Sequence, residues 1–233
     1  MVLGTRISRI WSESNRGSLG LLSPRTSYCA CCQQCPGPCT PRSMSVQSLD
    51  PRTALVLIDL QKGITAMPTV DPADTIVERA AALARAFRDR DLPVVLVRVA
   101  FSPDGGDVIR SRVDAQPPSV TRGPDWGDLR EEIGTGPHDI IITKRQWDAF
   151  FGTELDLQLR RRKMTGIVLA GISTSIGVES TARHGRELGY EIAIASDAVT
   201  DTVKAAHENS LQRIFPRLGQ VDTTAAIIAA LKS

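Results

Sequence analysis

From residue 53 onward, short apolar runs alternate with amphipathic stretches. This alternation narrows the fold more than any other feature of the chain. An unbroken apolar run of about four to eight residues suits a strand buried on both faces, and the intervening helices must then cover both faces. Thr53–Ile58 (TALVLI) reads as the first strand, ending at Asp59. Pro72 and Asp74 open a predicted helix over 75–90, in which Ile76, Ala80, Leu83, Ala84 and Phe87 share one face. Pro93 introduces a second strand, VVLVRVA, running to Ala100. Residues 102–124, rich in Pro, Gly, Asp and Arg, read as a long loop of the kind that carries function, followed by a short helix expected over 126–133. DIIIT (139–143) is the third strand and ends at Lys144.

Thr153 with Asp156 three residues on forms a capping-box pattern, Asp replacing the usual Glu, and opens a helix to Lys163. A fourth strand over 166–170 feeds a helix over 175–188, which Gly189 stops. EIAIAS (191–196) is the fifth strand, ending at Asp197. A helix over 203–214 closing before Pro216, a short strand over 219–221 and a last helix over 223–231 complete the pattern. No internal repeat is present. The implied fold class is α/β: a three-layer α/β/α, doubly wound, mainly parallel sheet of five to six strands.

Composition divides the 233 residues in two. Residues 1–43 hold five arginines, one acid (Glu13) and all five cysteines (Cys29, Cys31, Cys32, Cys35, Cys39), and they lack any apolar period. They are predicted to be a disordered leader. An extension upstream of Met44, a transit peptide and a soft-metal cysteine cluster are the readings open for it; the last lacks a visible folded frame. Residues 44–233 are expected to form one domain with a sizeable core, given 42% hydrophobic residues. That part is near neutral, so neither a nucleic-acid nor a membrane partner is expected, and no apolar run approaches the roughly 18 residues of a membrane span. The expected location is cytoplasmic, or organellar if residues 1–43 are a transit peptide. Having no cysteine, this part can use neither a disulfide nor a thiol nucleophile.

In doubly wound sheets ligands bind beyond the carboxyl ends of the strands, which singles out Asp59, Lys144 and the hydroxyl-rich turn Ser173, Thr174, Ser175. A carboxylate and an ammonium in one crevice can tune each other, one moving a proton while the other stabilises negative charge. The bland alternative for each is a helix cap or a solvated loop residue, a reading that suits Asp197 and Asp201 better. The strand order 2-1-3-4-5 is favoured, because it makes the first and third strands neighbours and brings Asp59 to Lys144; an order beginning 3-2-1-4 separates them by two strands. His184 is read as a surface or packing residue, and Arg98, Arg110, Arg112 and Arg122 as solvated cations able to bind a carboxylate.

VLIDLQKGI around Asp59, ITKRQWDAFFGTELDLQLR from Ile142 and LAGISTSIGVESTARHGRELGYEIAIASDAVTD from Leu169 together resemble the three signature regions of the isochorismatase-like hydrolases, over residues 52–231 and in the family's order. The resemblance implies that Asp59 is the general acid/base, that Lys144 is the catalytic lysine and that Gly177 occupies the position of the family's nucleophilic cysteine. It implies a cis peptide at Ile172–Ser173, a homo-oligomer and a small-molecule substrate. The family's zinc-binding members carry Asp-x-His after the second strand; here the stretch reads VRVAFSPDGGD, and the only histidines are His138, His184 and His207, so neither metal nor cofactor is expected.

Glycine at 177 closes the acyl-enzyme route. Ser175 and Ser180 are offset from it and have no activating histidine motif. The family's isochorismatase branch, which cleaves a vinyl ether by protonation and addition of water, resembles this chain in having glycine there. The chain departs from that branch at Ser173, where the branch carries Tyr, and at Phe101, where it carries Gln. Ser173, Ile176, Trp147 and Phe151 are the expected substrate contacts, with core packing the alternative for Trp147, Phe150 and Phe151. A hydrolase acting without a cysteine is the expected function; a family member without catalysis, serving as a binding or assembly module, is the alternative. A crevice filled by Trp147 or Phe151 favours the module.

Overall fold

A computed structural model describes residues 46, 48–115 and 122–231. The predicted leader, with its cysteines, lies outside them. In chain order the elements are β1 (Thr53–Ile58), α1 (Lys62–Thr65), α2 (Ala73–Arg88), β2 (Val94–Val99), β3 (Ile140–Lys144), α3 (Leu155–Arg161), β4 (Gly166–Ile172), α4 (Glu179–Glu187), β5 (Glu191–Thr200), α5 (Lys204–Asn209), α6 (Phe215–Leu218), β6 (Gln220–Asp222) and α7 (Thr224–Ala230). All neighbouring strands are parallel.

The six strands lie in the order β3-β2-β1-β4-β5-β6, which corrects the expected 2-1-3-4-5. The chain winds outward from β1 through β2 to the edge at β3, then returns to place β4 on the other side of β1. The topological switch therefore falls between β1 and β4.

Both faces of β1 are buried, as its unbroken apolar run requires. Leu55 and Leu57 pack with Ile76, Leu83 and Phe87 of α2 and with Ile227 of α7. Ala54, Val56 and Ile58 pack on the other face with Leu155 and Leu159 of α3, Ala182 of α4 and Phe215. β4 pairs with the end of β1 at Gly171, where φ is 126° and a β-carbon would lie 2.1 Å from Ile58 O, so no other residue fits.

Four local expectations are corrected. The segment expected to be helical over 126–133 holds only a 3-10 turn, Glu131–Ile133, because its backbone is spent elsewhere: Lys62 N–H donates to Asp128 O (2.8 Å) and Gly63 N–H to Trp126 O (3.1 Å). β5 does not stop before Asp197; its register against β4 jumps between Leu169 and Gly171, and the strand resumes to Thr200. Asp197 then accepts from Thr224 N–H at 2.6 Å and Thr224 Oγ1 at 2.8 Å at the start of α7. The helix over 203–214 does not end before Pro216: a π-helical turn, Ser210–Ile214, leads into α6, whose first turn seats the proline where no N–H is required. No reciprocal capping box forms at Thr153. Its Oγ1 accepts from Leu155 N–H (3.1 Å), but Asp156, one methylene shorter than Glu, accepts instead from Tyr190 Oη at 2.8 Å.

Candidate active site

Asp59 is the residue at which β1 leaves the sheet. Its N–H still donates to Val97 O at 2.9 Å, but its φ of 52° turns the chain aside, a conformation that Asp tolerates better than most residues. Lys144 ends β3, opposite Val99 of β2, so one whole strand separates the two backbones. Strands spaced by about 4.8 Å leave roughly 10 Å to cover, which a long lysine and a short aspartate reaching over the end of β2 can span. They do: Lys144 Nζ lies 2.7 Å from Asp59 Oδ2. The expected order is therefore wrong, yet the two residues it was meant to unite still meet.

The pair is almost dry, with Lys144 2% and Asp59 7% exposed. The ammonium has three N–H donors and three acceptors: Asp59 Oδ2, Trp147 O at 2.8 Å and Gln146 O at 3.1 Å. Asp59 is less well served, since its Oδ1 is buried with no hydrogen-bond partner. Burial pushes the Asp59 carboxyl up to about 6, against the pull of the Lys144 charge. A carboxyl titrating there holds a proton for a useful fraction of the time near neutrality, which an ordinary aspartate does not.

Gly177 completes the arrangement from the far side of β1. It lies in a π-helical turn, Thr174–Val178, that follows β4 and precedes α4. A β-carbon built on it would lie 3.4 Å from Asp59 Oδ2, 3.5 Å from Trp147 O and 2.9 Å from Ile58 Cγ2. Position 177 thus points at the ion pair, and Ile58 has closed on the space a side chain would need. The turn is pinned on both sides. Asp201 Oδ2 accepts from Ser175 N–H (2.7 Å) and Oγ (2.8 Å), and buried Thr174 Oγ1 bonds His207 Nδ1 at 2.9 Å. Thr181 Oγ1 donates to Gly177 O at 2.7 Å and accepts from Ala149 N–H at 3.0 Å, joining the turn to the loop after Lys144. The Ile172–Ser173 peptide is cis, and Ser173 and Ile176 are half-buried beside Gly177.

The expected aromatic contacts are not all brought together. Trp147 and Phe151 are 66% and 68% exposed, so neither walls nor fills a crevice in the single chain; Trp147 serves the site through its carbonyl. Phe150 is core, stacked on Tyr190 at 5.6 Å. Of the arginines, Arg98 bonds Thr143 Oγ1 (3.1 Å), and Arg122 lies over the rings of Phe101 (4.5 Å) and Trp126 (5.3 Å). His184 does more than pack: its Nδ1 is 2.5 Å from Asp148 Oδ2, and Asp148 also accepts from Phe150 and Phe151 N–H, which fixes the loop carrying the carbonyls around Lys144. A cavity of about 480 Å³ lies over α1, lined by Lys62, Thr65, Ala66, Arg130, Glu131 and Glu132, and does not include Asp59. Among the described residues no group of three His, Cys, Asp or Glu is placed to hold a metal, and no helix is long and apolar enough to cross a membrane.

Sequence reasoning missed the supports: Gln61, Asp148 with His184, and Asp201 as a brace for the Ser175 turn. Gln61, two residues from Asp59 within the segment VLIDLQKGI, is the one with a visible signal, a polar residue directly beyond the first strand's end.

A parallel sheet with a buried acid and lysine at its switch point defines a class of α/β enzyme-like domain. Residues 53–226 match the isochorismatase domain model, and the chain belongs to the isochorismatase-like hydrolase family. It is 46% identical over 182 residues to the isochorismatase family protein YecD of Escherichia coli, covering 77% of this chain and 96% of that one. It is 28% identical over 206 residues to the ureidoacrylate amidohydrolase RutB of Methylorubrum extorquens, covering 78% and 83%. The solved structure of an isochorismatase family protein from Burkholderia thailandensis superposes with a TM-score of 0.77 at 45% identity, covering 80% of this chain and 99% of that one.

Proposed function

We propose that the chain is a hydrolase that adds water to a small-molecule substrate without a cysteine nucleophile. Asp59 is the acid/base, Lys144 its electrostatic partner, and the turn over 173–178 with Trp147 and Phe151 shapes the substrate site. The observation that carries this reading is the state of the Asp59 carboxyl: one oxygen is on Lys144 at 2.7 Å, the other is buried and unpartnered, and residue 177 supplies no thiol beside it. An unpartnered oxygen on a carboxyl raised to about 6 is a proton donor with nothing among the described residues to donate to.

For a vinyl ether such as isochorismate, Asp59 gives its proton to the terminal enol carbon. Lys144 stabilises the carboxylate this leaves. Water adds to the resulting oxocarbenium carbon and loses a proton to Asp59, and the hemiketal collapses to a ketone and an alcohol, restoring the acid. Copies of the chain associate in this reading, which gives exposed Trp147 and Phe151 a cover.

The second reading, a binding or assembly module without catalysis, draws on one observation: Asp59 is only 7% exposed and the 480 Å³ cavity does not include it. Incubating the full chain with isochorismate and a panel of small amides, and measuring pyruvate and ammonia, separates the cases. Pyruvate, lost in Asp59→Asn, is the expected result. Ammonia would overturn the thiol-free reading, and neither product would favour the module.

A further inference from the structure

At the carboxyl end of the sheet one rung of the ladder is missing, and a side chain takes its place. The last backbone bond from β1 to β2 runs from Asp59 N–H to Val97 O. Because Asp59 then turns away, the evenly spaced bonds of a parallel pair would leave Val99 without a backbone partner on that side. Gln61, fully buried, supplies both groups: its Oε1 accepts from Val99 N–H at 2.7 Å, and its Nε2 donates to Val99 O at 2.9 Å. The same Nε2 donates to Gly127 O at 3.2 Å, which ties in the segment packed on α1. Val99 is also the register partner of Lys144, the residue whose side chain crosses β2. One amide therefore holds the backbone at Asp59's turn and at the strand end under the lysine.

We propose that Gln61 is a positioning residue: by replacing the lost rung at Val99 it fixes both backbone supports of the Asp59–Lys144 pair without touching substrate. Its importance for turnover rests on the reading of Asp59 as the acid/base; its control of the pair's geometry does not.

The test is a carbon-detected NMR titration of the Asp59 carboxyl in the full chain, the signal being assigned by its loss in Asp59→Asn. Gln61→Ala strands the Val99 and Gly127 backbone groups and frees the strand end under Lys144, so the ammonium's pull on the carboxyl weakens and the Asp59 midpoint rises by about half a unit or more. Gln61→Met keeps the side chain's length but forms none of its bonds, and displaces the midpoint in the same direction if the alanine variant fails to fold. Leu159→Ala, a hole of comparable cost in the α3 face, leaves the midpoint unmoved and removes general destabilisation as an explanation. An Asp59 midpoint unchanged by the Gln61 substitutions overturns the proposal. Since the readout is a titration, failure to find a substrate bears on the function and not on this inference.

Discussion

The energetic consequence of burying Asp59 can be read without knowing the substrate. Its carboxyl titrates at about 6 in the folded chain against an ordinary 3.8. Between those values the native state holds a proton that the unfolded chain has released, so stability falls as pH rises through the window and is level above it. At roughly 1.4 kcal/mol per unit, the fall is about 3 kcal/mol. Asp59→Asn cannot titrate and must lose that fall. The amide stands beside Lys144 as the protonated acid does at low pH, so the comparison isolates the proton of Asp59. Urea unfolding of the wild type and variant at pH 4, 5, 6 and 7 gives the difference directly. Other carboxylates, including Asp50 and Glu132, whose hydrogen bonds hold them below their ordinary values, cancel in the subtraction. The expected result is that the wild type loses about 2 to 2.5 kcal/mol relative to the variant from pH 4 to pH 7, the rest of the fall lying below pH 4. Parallel profiles would refute the reasoning, because they would mean that Asp59 is ionised throughout.

Two further substitutions probe how the site is held. Gly177→Ala drives a β-carbon to 2.9 Å from Ile58 Cγ2 and should cost about 1 to 3 kcal/mol in urea unfolding; adding Ile58→Ala, which removes that methyl, should give a double-mutant cost well below the sum of the two. Thr181→Val leaves the Ala149 N–H without its acceptor and should cost about 1 to 3 kcal/mol, with Thr181→Ser restoring most of it; equal stability of the valine and serine variants would show that the hydroxyl is not the link.

The layered fold was legible because its cause is local. Five consecutive apolar residues after Thr53 in TALVLI, too few for a buried helix and bounded by Pro51 and Asp59, point to a strand covered on both faces, and the chain bears this out. Strand order was not legible, because the inference assumed that residues in contact must sit on neighbouring strands, whereas lysine is long enough to cross one. The break in β5 was hidden for a related reason. Asp197 looks like the residue after a strand, but it sits where the register shifts and accepts from the start of α7, a partner 27 residues away that no local pattern reveals. The convergence of Asp59, Lys144 and position 177 was anticipated from the strand ends and the three signature segments. Their supports were not, since Gln61 and Asp201 act through backbone groups, and Asp148 through the His184 side chain, supplied by distant segments.

The crossing of β2 by Lys144 has a dynamic consequence. β3 is an edge strand, paired on one side only, and although Ile140, Ile142 and Lys144 are buried, Ile141 is 48% exposed, so this strand can detach at less cost than one paired on both sides. Asp59, by contrast, leaves β1, which is paired on both sides. The site's anion is thus mounted on an interior strand and its cation on an edge strand. Local opening at the edge would withdraw the ammonium long before the domain unfolds, leaving a buried carboxyl that must take up a proton. The integrity of the site therefore depends on five residues at the rim as well as on the core beneath it.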